Sequence, residues 1–226
     1  MRFLLLLLIL IFIGCHSSKK TIDLYNGKDF TGWHIDVPDM DTTDVESPFI
    51  AKENSIITMG NPRGHLITDA EHSNYRLEVT YKFLGEPGNC GVLLHASTPR
   101  SLYDMFPKSI EAQMMHENAG DFWVIVEDIT VDNMVERRGP KEEWGNTKGM
   151  KRRILNLTDG SENPLGEWNT MVVECFQDKI KVWVNDDLVN YGYDCSVTKG
   201  QIALQSEGAA VEFKDVKLTP IKKLSD

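Results

Sequence analysis

"YRLEVTYKF", Tyr75 to Phe83, decides the fold. A strand turns successive side chains to opposite faces. Here Tyr75, Leu77, Val79, Tyr81 and Phe83 share one face, and Arg76, Glu78, Thr80 and Lys82 share the other. That alternation belongs to an antiparallel strand with one face in a core and one toward water. Outward from it, short alternating runs bounded by Gly, Pro, Asn and Asp recur, whereas amphipathic helices do not. The further runs are "NSIITM", "GVLLHA", "SIEAQMMH", "FWVIVEDITV", "RRILNLT", "NTMVVECF", "KIKVWVN", "QIALQSE" and "VEFKDVKLTP". So many strands with hardly a helix predict an all-β sandwich. Two hairpins are legible, one turning at Gln177-Asp178 and one at Asp186-Asp187, each with turn-forming residues between apolar alternations. The polar segment "RRGPKEEWGNTKGM", residues 137–150, reads as a long surface loop of the sort that closes over sites as a lid.

The first fifteen residues, "MRFLLLLLILIFIGC", combine one positive charge, an apolar run from Phe3 to Ile13, and Gly14-Cys15. This is an export signal. The run is short for a permanent membrane helix, and a small residue directly before a cysteine resembles the bacterial lipoprotein cleavage box. Cleavage before Cys15 and acylation of its thiol are therefore expected. The expected organisation is a signal peptide over residues 1–14, a lipidated Cys15 with a tether over 15–20, and one domain over 21–226. The localisation that follows is the cell envelope, with the membrane engaged through the lipid alone. The chain left after cleavage carries 23 basic and 34 acidic residues, a formal charge of −11. Nucleic acid and anionic membrane surfaces are poor partners for it. With Cys15 taken by lipid, three cysteines remain, and Cys175 with Cys195 is the expected disulfide in an oxidising periplasm.

The stretch "KSIEAQMMH", Lys108 to His116, poses the chemical question. As a strand it places Glu111, Gln113 and Met115 on one face, and Ile110, Ala112, Met114 and His116 on the other. Unpaired polar groups in a core are costly, so Glu111 and Gln113 are either paired there or line a site. "LQSEG" repeats the pattern with Gln205 and Glu207. Sandwich-fold endo-glucanases of the laminarinase and lichenase type use E-x-D-x-x-E on such a strand. Here Gln and His stand where the other two acids would be, so the two-carboxylate mechanism of retaining glycosidases is not supported by this strand alone. His95, in "GVLLHAS", shares a regular strand face with Leu93; such a histidine is either a satisfied core residue or a base titrating near neutrality. Trp123, Trp144 and Trp183 are candidates for a sugar-stacking platform, with Trp144, alone in the polar loop, favoured for ligand contact. Trp33 and Trp168 are expected to pin turns. Glu127, Asp128 and Asp132 supply carboxylates for a divalent cation but lack the spacing of a known calcium loop. No cofactor is expected, a divalent metal being the open alternative.

Seven segments in order carry a resemblance: "LYNGKDFTGW", "GHLIT", "GEPGNCGVLLH", "PKSIEAQMMHENAGDFW", "NPLGEWN", "VWVND" and "GQIALQSEGAAVEFKDVKL". From about Thr21 to Pro220 the chain resembles the 3-keto-disaccharide hydrolase domain family. The resemblance implies a concanavalin A-like jelly-roll sandwich of two antiparallel sheets. It also implies a substrate whose glucose ring has been oxidised at C3 by a separate sugar 3-dehydrogenase. A ketone at C3 acidifies the C2 hydrogen. One base, a donor to the enolate and an acid for the leaving group then suffice for elimination at C1 and hydration. Carried over by position, Glu111 is the base or the acid that assists C1 departure, and Gln113 contacts a sugar hydroxyl. His95 becomes a second catalytic candidate. His116, standing where the family more often has aspartate, joins Arg153, Gln205 and Glu207 as substrate contacts, while Asn89 and Gly91 shape a turn. The rival expectations are a non-catalytic carbohydrate-binding lipoprotein, and an ordinary endo-glucanase with Glu207 as second carboxylate.

Overall fold

The computed structural model describes residues 20–226; the expected signal peptide, Cys15 and nearly all of the tether lie outside the described residues. In chain order the strands are β1 Ile22–Asp23, β2 Trp33–Asp36, β3 Phe49–Lys52, β4 Ser55–Thr58, β5 Gly64–Thr68, β6 Tyr75–Phe83, β7 Gly91–Leu102 and β8 Phe106–Gln113. There follow β9 Phe122–Ile125, the short helix α1 Met134–Arg138, β10 Arg153–Ile154, β11 Asn169–Phe176, β12 Lys179–Val184, β13 Asp187–Gly192, β14 Gln201–Ser206 and β15 Val211–Pro220. Two antiparallel sheets result. The first runs β13-β12-β11-β6-β15-β4-β3, with β1 against β15, and the second runs β10-β9-β8-β7-β14-β5-β2.

The main core lies between the sheets. Tyr75, Leu77, Val79, Tyr81 and Phe83 of β6 all point into it, as the alternation requires, and meet Val92, Leu94, Ile110, Ala112 and Leu204 from the second sheet. Fully buried aromatics such as Phe213 anchor the interface; truncating one to alanine costs about 3–5 kcal/mol. The hairpin after β11 turns at Gln177-Asp178 as read from the sequence. The next turns at Asn185-Asp186, one residue earlier than expected, because both residues adopt left-handed backbone, φ 49° and 72°, the geometry of a two-residue turn that favours Asn first.

The second sheet also buries its outer face. A smaller cluster of Ile67, Leu93, Ala96, Leu102, Ile125 and Ala203 lies there, with Phe106 packed on it. The β7–β8 hairpin supplies Leu102 and Phe106 and folds over its own sheet. Polar side chains on this face are therefore neither in the core nor in open water.

The expected Cys175–Cys195 disulfide is not formed: both thiols are free and buried. Cys175 is fixed by its β11 register opposite Tyr75 and Ile180, and Cys195 hangs outside the strands from the Asp178 carbonyl. Burial pushes both thiols up, Cys195 to about 11. Among the described residues no helix is long and apolar enough to cross a membrane.

Candidate active site

The outer face of the second sheet carries two rows of side chains, set by strand register. The first runs Trp123, Glu111, Leu93, Ala203, Ile67 across β9, β8, β7, β14 and β5. In the second, Gln113 stands opposite Gly91, and Gln205 stands opposite His65, which faces Asp36 in turn. One step along the β14–β7 register from Leu204 and Val92 places Gln205 opposite Gly91. Glu111 and Gln113, which alternation puts on one face of β8, are thus gathered with Gln205 of β14.

A pocket of about 360 Å³ opens above this face, lined by Glu111, Gln113, Trp123, Arg152, Glu207 and Asn89, with Arg63 at its edge and Tyr103, Met105 and Phe106 of the folded hairpin as its roof. Glu111 is buried, 4% exposed, with Oε1 lacking any hydrogen bond. The space for its carboxyl exists because residue 91 is glycine: a Cβ there would lie 2.2 Å from Glu111 Oε1. Gly91 is therefore a spacing residue inside β7, not the turn former that the sequence suggested. Burial chiefly, and then the charge of Glu207, push the Glu111 carboxyl up to about 8, with Arg152 and Gln205 opposing.

Glu207 accepts a hydrogen bond from Asn89 Nδ2 at 2.8 Å, and Arg63 stands 3.8 Å away. Burial raises its carboxyl too, against the pull of Arg63, Arg152 and Asn89. Gln113 spends Oε1 on the backbone N–H groups of Met114 and Met115, at 3.0 and 3.1 Å. This ends β8 and leaves its NH2 as the group to meet a ligand. Arg152 stacks over Trp123 at 5.0 Å and over Tyr103 at 5.6 Å, which holds its guanidinium over the pocket.

Several expected site residues lie elsewhere. His95 is not in the pocket: the β7 register slips between Leu94 and Ser97, and His95, at φ 53°, turns toward the core. There it packs edge-on against Tyr75 at 5.6 Å, with Nδ1 on the Val197 carbonyl. A bulge reverses strand parity, which regular alternation cannot foresee. His116 follows the end of β8 and sits beside Phe83 and Glu162, lining a different cleft. Arg153 is engaged by Asp121 at 2.6 Å and by Asn118; its neighbour Arg152 faces the pocket instead. Trp144 is tied down by its own loop, Nε1 donating to the Gly139 carbonyl at 2.7 Å under the Arg138 guanidinium. With Arg138 also bonded to the Lys151 and Gly145 carbonyls, the segment read as a lid is stapled shut on itself. Trp183 lies on the first sheet beside Arg76 and Lys181, so Trp123 is the one indole of the expected platform that reaches the pocket.

Glu127, Asp128 and Asp132 are occupied by Ser196, Arg138 and Tyr193 respectively. Among the described residues no group of three or more His, Cys, Asp or Glu side chains is arranged to hold a metal. Sequence reasoning missed Arg63, Tyr103, Met105, Phe106 and Arg152. Arg152 and Trp123 had a readable signal, since a cation and an indole beside strand ends suit a sugar face; the hairpin roof had none.

Comparison with known proteins agrees with the fold. The chain matches the 3-keto-alpha-glucoside-1,2-lyase-like domain over residues 20–219. No curated protein sequence matches it. Among solved structures it is similar to a candidate glycosyl hydrolase from Parabacteroides distasonis, at 20% identity and TM-score 0.62 over 89% of this chain and 94% of that one. It is similar also to the carbohydrate-binding module CBM66 from Bacillus subtilis, at 14% identity and TM-score 0.53, covering 83% and 95%. A third similar structure is the Bacillus licheniformis β-glucanase, at 10% identity and TM-score 0.55, covering 92% and 100%. At such identities the likeness speaks for the jelly-roll sandwich alone, and that fold carries both hydrolases and binding modules.

Proposed function

Because the chain belongs to the 3-keto-alpha-glucoside-1,2-lyase-like family, we propose that its pocket cleaves 3-keto-glucosides or 3-keto-disaccharides, with Glu111 carrying the proton. The observation behind this reading is the carboxyl of Glu111 itself, enclosed in the pocket, unbonded at Oε1 and pushed up to about 8. A general base works best with its pKa near the working pH. An enclosed carboxylate is also a stronger base than an exposed one.

The Glu111 carboxylate takes the C2 hydrogen as a proton, and the electron pair moves to the C3 oxygen as an enolate. The enolate collapses to C3=O with a C1–C2 double bond, and the C1–O bond breaks. Glu207, whose carboxyl is raised by burial, protonates the departing oxygen. Water then adds its hydroxyl to C1, giving its other proton to Glu207, while Glu111 returns its proton to C2. Arg152 is the donor that faces developing charge on the C3 oxygen, Trp123 stacks on the sugar, and Gln113 presents its NH2 to a hydroxyl. His95, His116, Trp144 and Arg153 have no part in this scheme.

The substrate is the product of a separate sugar 3-dehydrogenase, and the protein acts at the cell envelope, held by lipid on Cys15. A second reading draws on Glu207, the second carboxyl in the pocket: an ordinary glycosidase, which needs no ketone. Incubating residues 17–226 with a 3-keto-glucoside and its unoxidised parent, following aglycone release and C2 deuterium exchange, separates the readings. Release and exchange from the keto form alone, both lost in Glu111→Gln while sugar binding persists, is the expected result. Release from the parent favours the glycosidase, and neither release nor exchange leaves a binding module.

A further inference from the structure

Behind the pocket, hidden by Phe106, two polar side chains stand with nothing bonded to them. Gln205 and His65 are each 0% exposed. Both amide atoms of Gln205, both ring nitrogens of His65 and Oε1 of Glu111 lack a hydrogen-bond partner. Buried polar atoms are ordinarily satisfied, and five such atoms on one sheet face are not five independent accidents. Gln205 and His65 are register partners on adjacent strands, which brings their side chains into contact range. Between Gln205 and Glu111 stands only Gly91, which has no side chain to separate them, and the Gln205 amide is close enough to favour the charged form of Glu111. Phe106 packs edge-on against the His65 ring at 5.5 Å and closes the far end.

We propose that Gln205 and His65 are positioning residues that form, with buried water, a hydrogen-bonded chain serving Glu111 in both of its protonation states. A neutral imidazole has one donor and one acceptor, and an amide has both. When Glu111 is ionised, His65 N–H donates to Gln205 Oε1 and Gln205 Nε2 donates to the carboxylate. When Glu111 is protonated, the amide is reversed and His65 takes its other tautomer, its ring proton passing through the buried water to the nitrogen away from Gln205: Glu111 O–H donates to Gln205 Oε1, and Gln205 Nε2 donates to the bare His65 nitrogen. His65 suits the end of such a chain because burial, helped by Arg100, pushes its pKa down to about 3 and keeps it neutral. The other titratable or charged groups acting on Glu111 are Glu207, Arg152 and the Cys90 thiol; Glu207 is engaged by Asn89, and the Cys90 thiol donates to the Gln205 backbone carbonyl. The inference rests on Glu111 as the proton carrier proposed above, but its test needs no substrate.

The carboxyl of Glu111 is followed by carbon-13 NMR in wild type, Gln205→Met, His65→Phe and His65→Gln. Losing a donor to the charged form raises a carboxyl pKa. The Glu111 midpoint should therefore rise by about half a unit or more in Gln205→Met, rise by less in His65→Phe, and return toward wild type in His65→Gln, whose amide again donates and accepts. An unchanged midpoint in Gln205→Met overturns the chain, and an unchanged midpoint in His65→Phe removes His65 from it. Should a variant fail to fold, the wild-type protein still decides: the Gln205 side-chain amide resonances must titrate with the Glu111 midpoint, and amide resonances flat across that midpoint refute the proposal. Loss of 3-keto cleavage with these titrations intact would strike the proposed function and leave the chain standing.

Discussion

Replacing Gly91 by alanine isolates the feature that makes room for the central carboxyl. Gly91 does not have the positive φ of the glycines that need left-handed backbone, so alanine meets no conformational penalty there. The whole effect falls on Glu111. The added Cβ would sit 2.2 Å from Oε1 and 3.0 Å from Cδ and Cγ, against an ordinary contact of 3.4 Å or more. The carboxyl must therefore retreat by about 1.2 Å or the β7–β8 pair must open. Overpacking of this kind costs about 1–3 kcal/mol, and at this chain length each kcal/mol lowers Tm by about 2–4 °C. A double-mutant cycle read by thermal unfolding tests the cause: Gly91→Ala should lose stability in the wild-type background and lose almost none beside Glu111→Ala, where the obstructed atoms are gone. On the enzyme reading, turnover should fall about a hundredfold in Gly91→Ala, since an ångström of misplacement is enough to do so. An equal Tm loss in both backgrounds, or none in either, would refute the argument that this glycine exists to seat the carboxyl.

Two further predictions follow from the same geometry. Because folding raises the Glu111 carboxyl from 4.5 to about 8, the native state holds a proton over that interval that the unfolded chain has released. Stability therefore falls as pH rises from about 4.5 to about 8, with no such effect from Glu111 below or beyond that window. Glu111→Gln should gain on wild type across it, by on the order of a few kcal/mol, and chemical denaturation at pH 5 and pH 8 checks the trend. The tryptophans should divide by role: Trp123→Ala should weaken sugar binding about tenfold by calorimetry. Trp144→Ala should leave that affinity alone and instead speed proteolysis of residues 137–150, having lost the bond to Gly139.

Much of the fold was legible because its signals are local. The alternation in Tyr75 to Phe83 survives intact as β6, and the turn residues at Gln177-Asp178 mark their hairpin to the residue. "FWVIVEDITV" reads as a single strand by composition, yet β9 ends at Ile125, where Val126 takes φ 66° and its N–H turns to the Asn146 carbonyl. Apolar composition alone does not record where a chain leaves its sheet. The cysteines are a like case: compartment and count permit a disulfide, but Cys175 and Cys195 are free and buried, and neither compartment nor count records how a thiol is packed.

By itself, the sequence determined the all-β sandwich and the shared strand face of Glu111 and Gln113, since a period of two is dictated by backbone geometry at each residue. It could not determine parity beyond a bulge, so His95 was placed with Leu93 when it belongs with Tyr75. Nor could it show that the β7–β8 hairpin folds back as a roof, that Arg152 and not Arg153 reaches the pocket, or that an absent side chain at Gly91 is what seats Glu111. Those are relations between strands far apart in the chain, fixed only when register, bulge and packing are satisfied together.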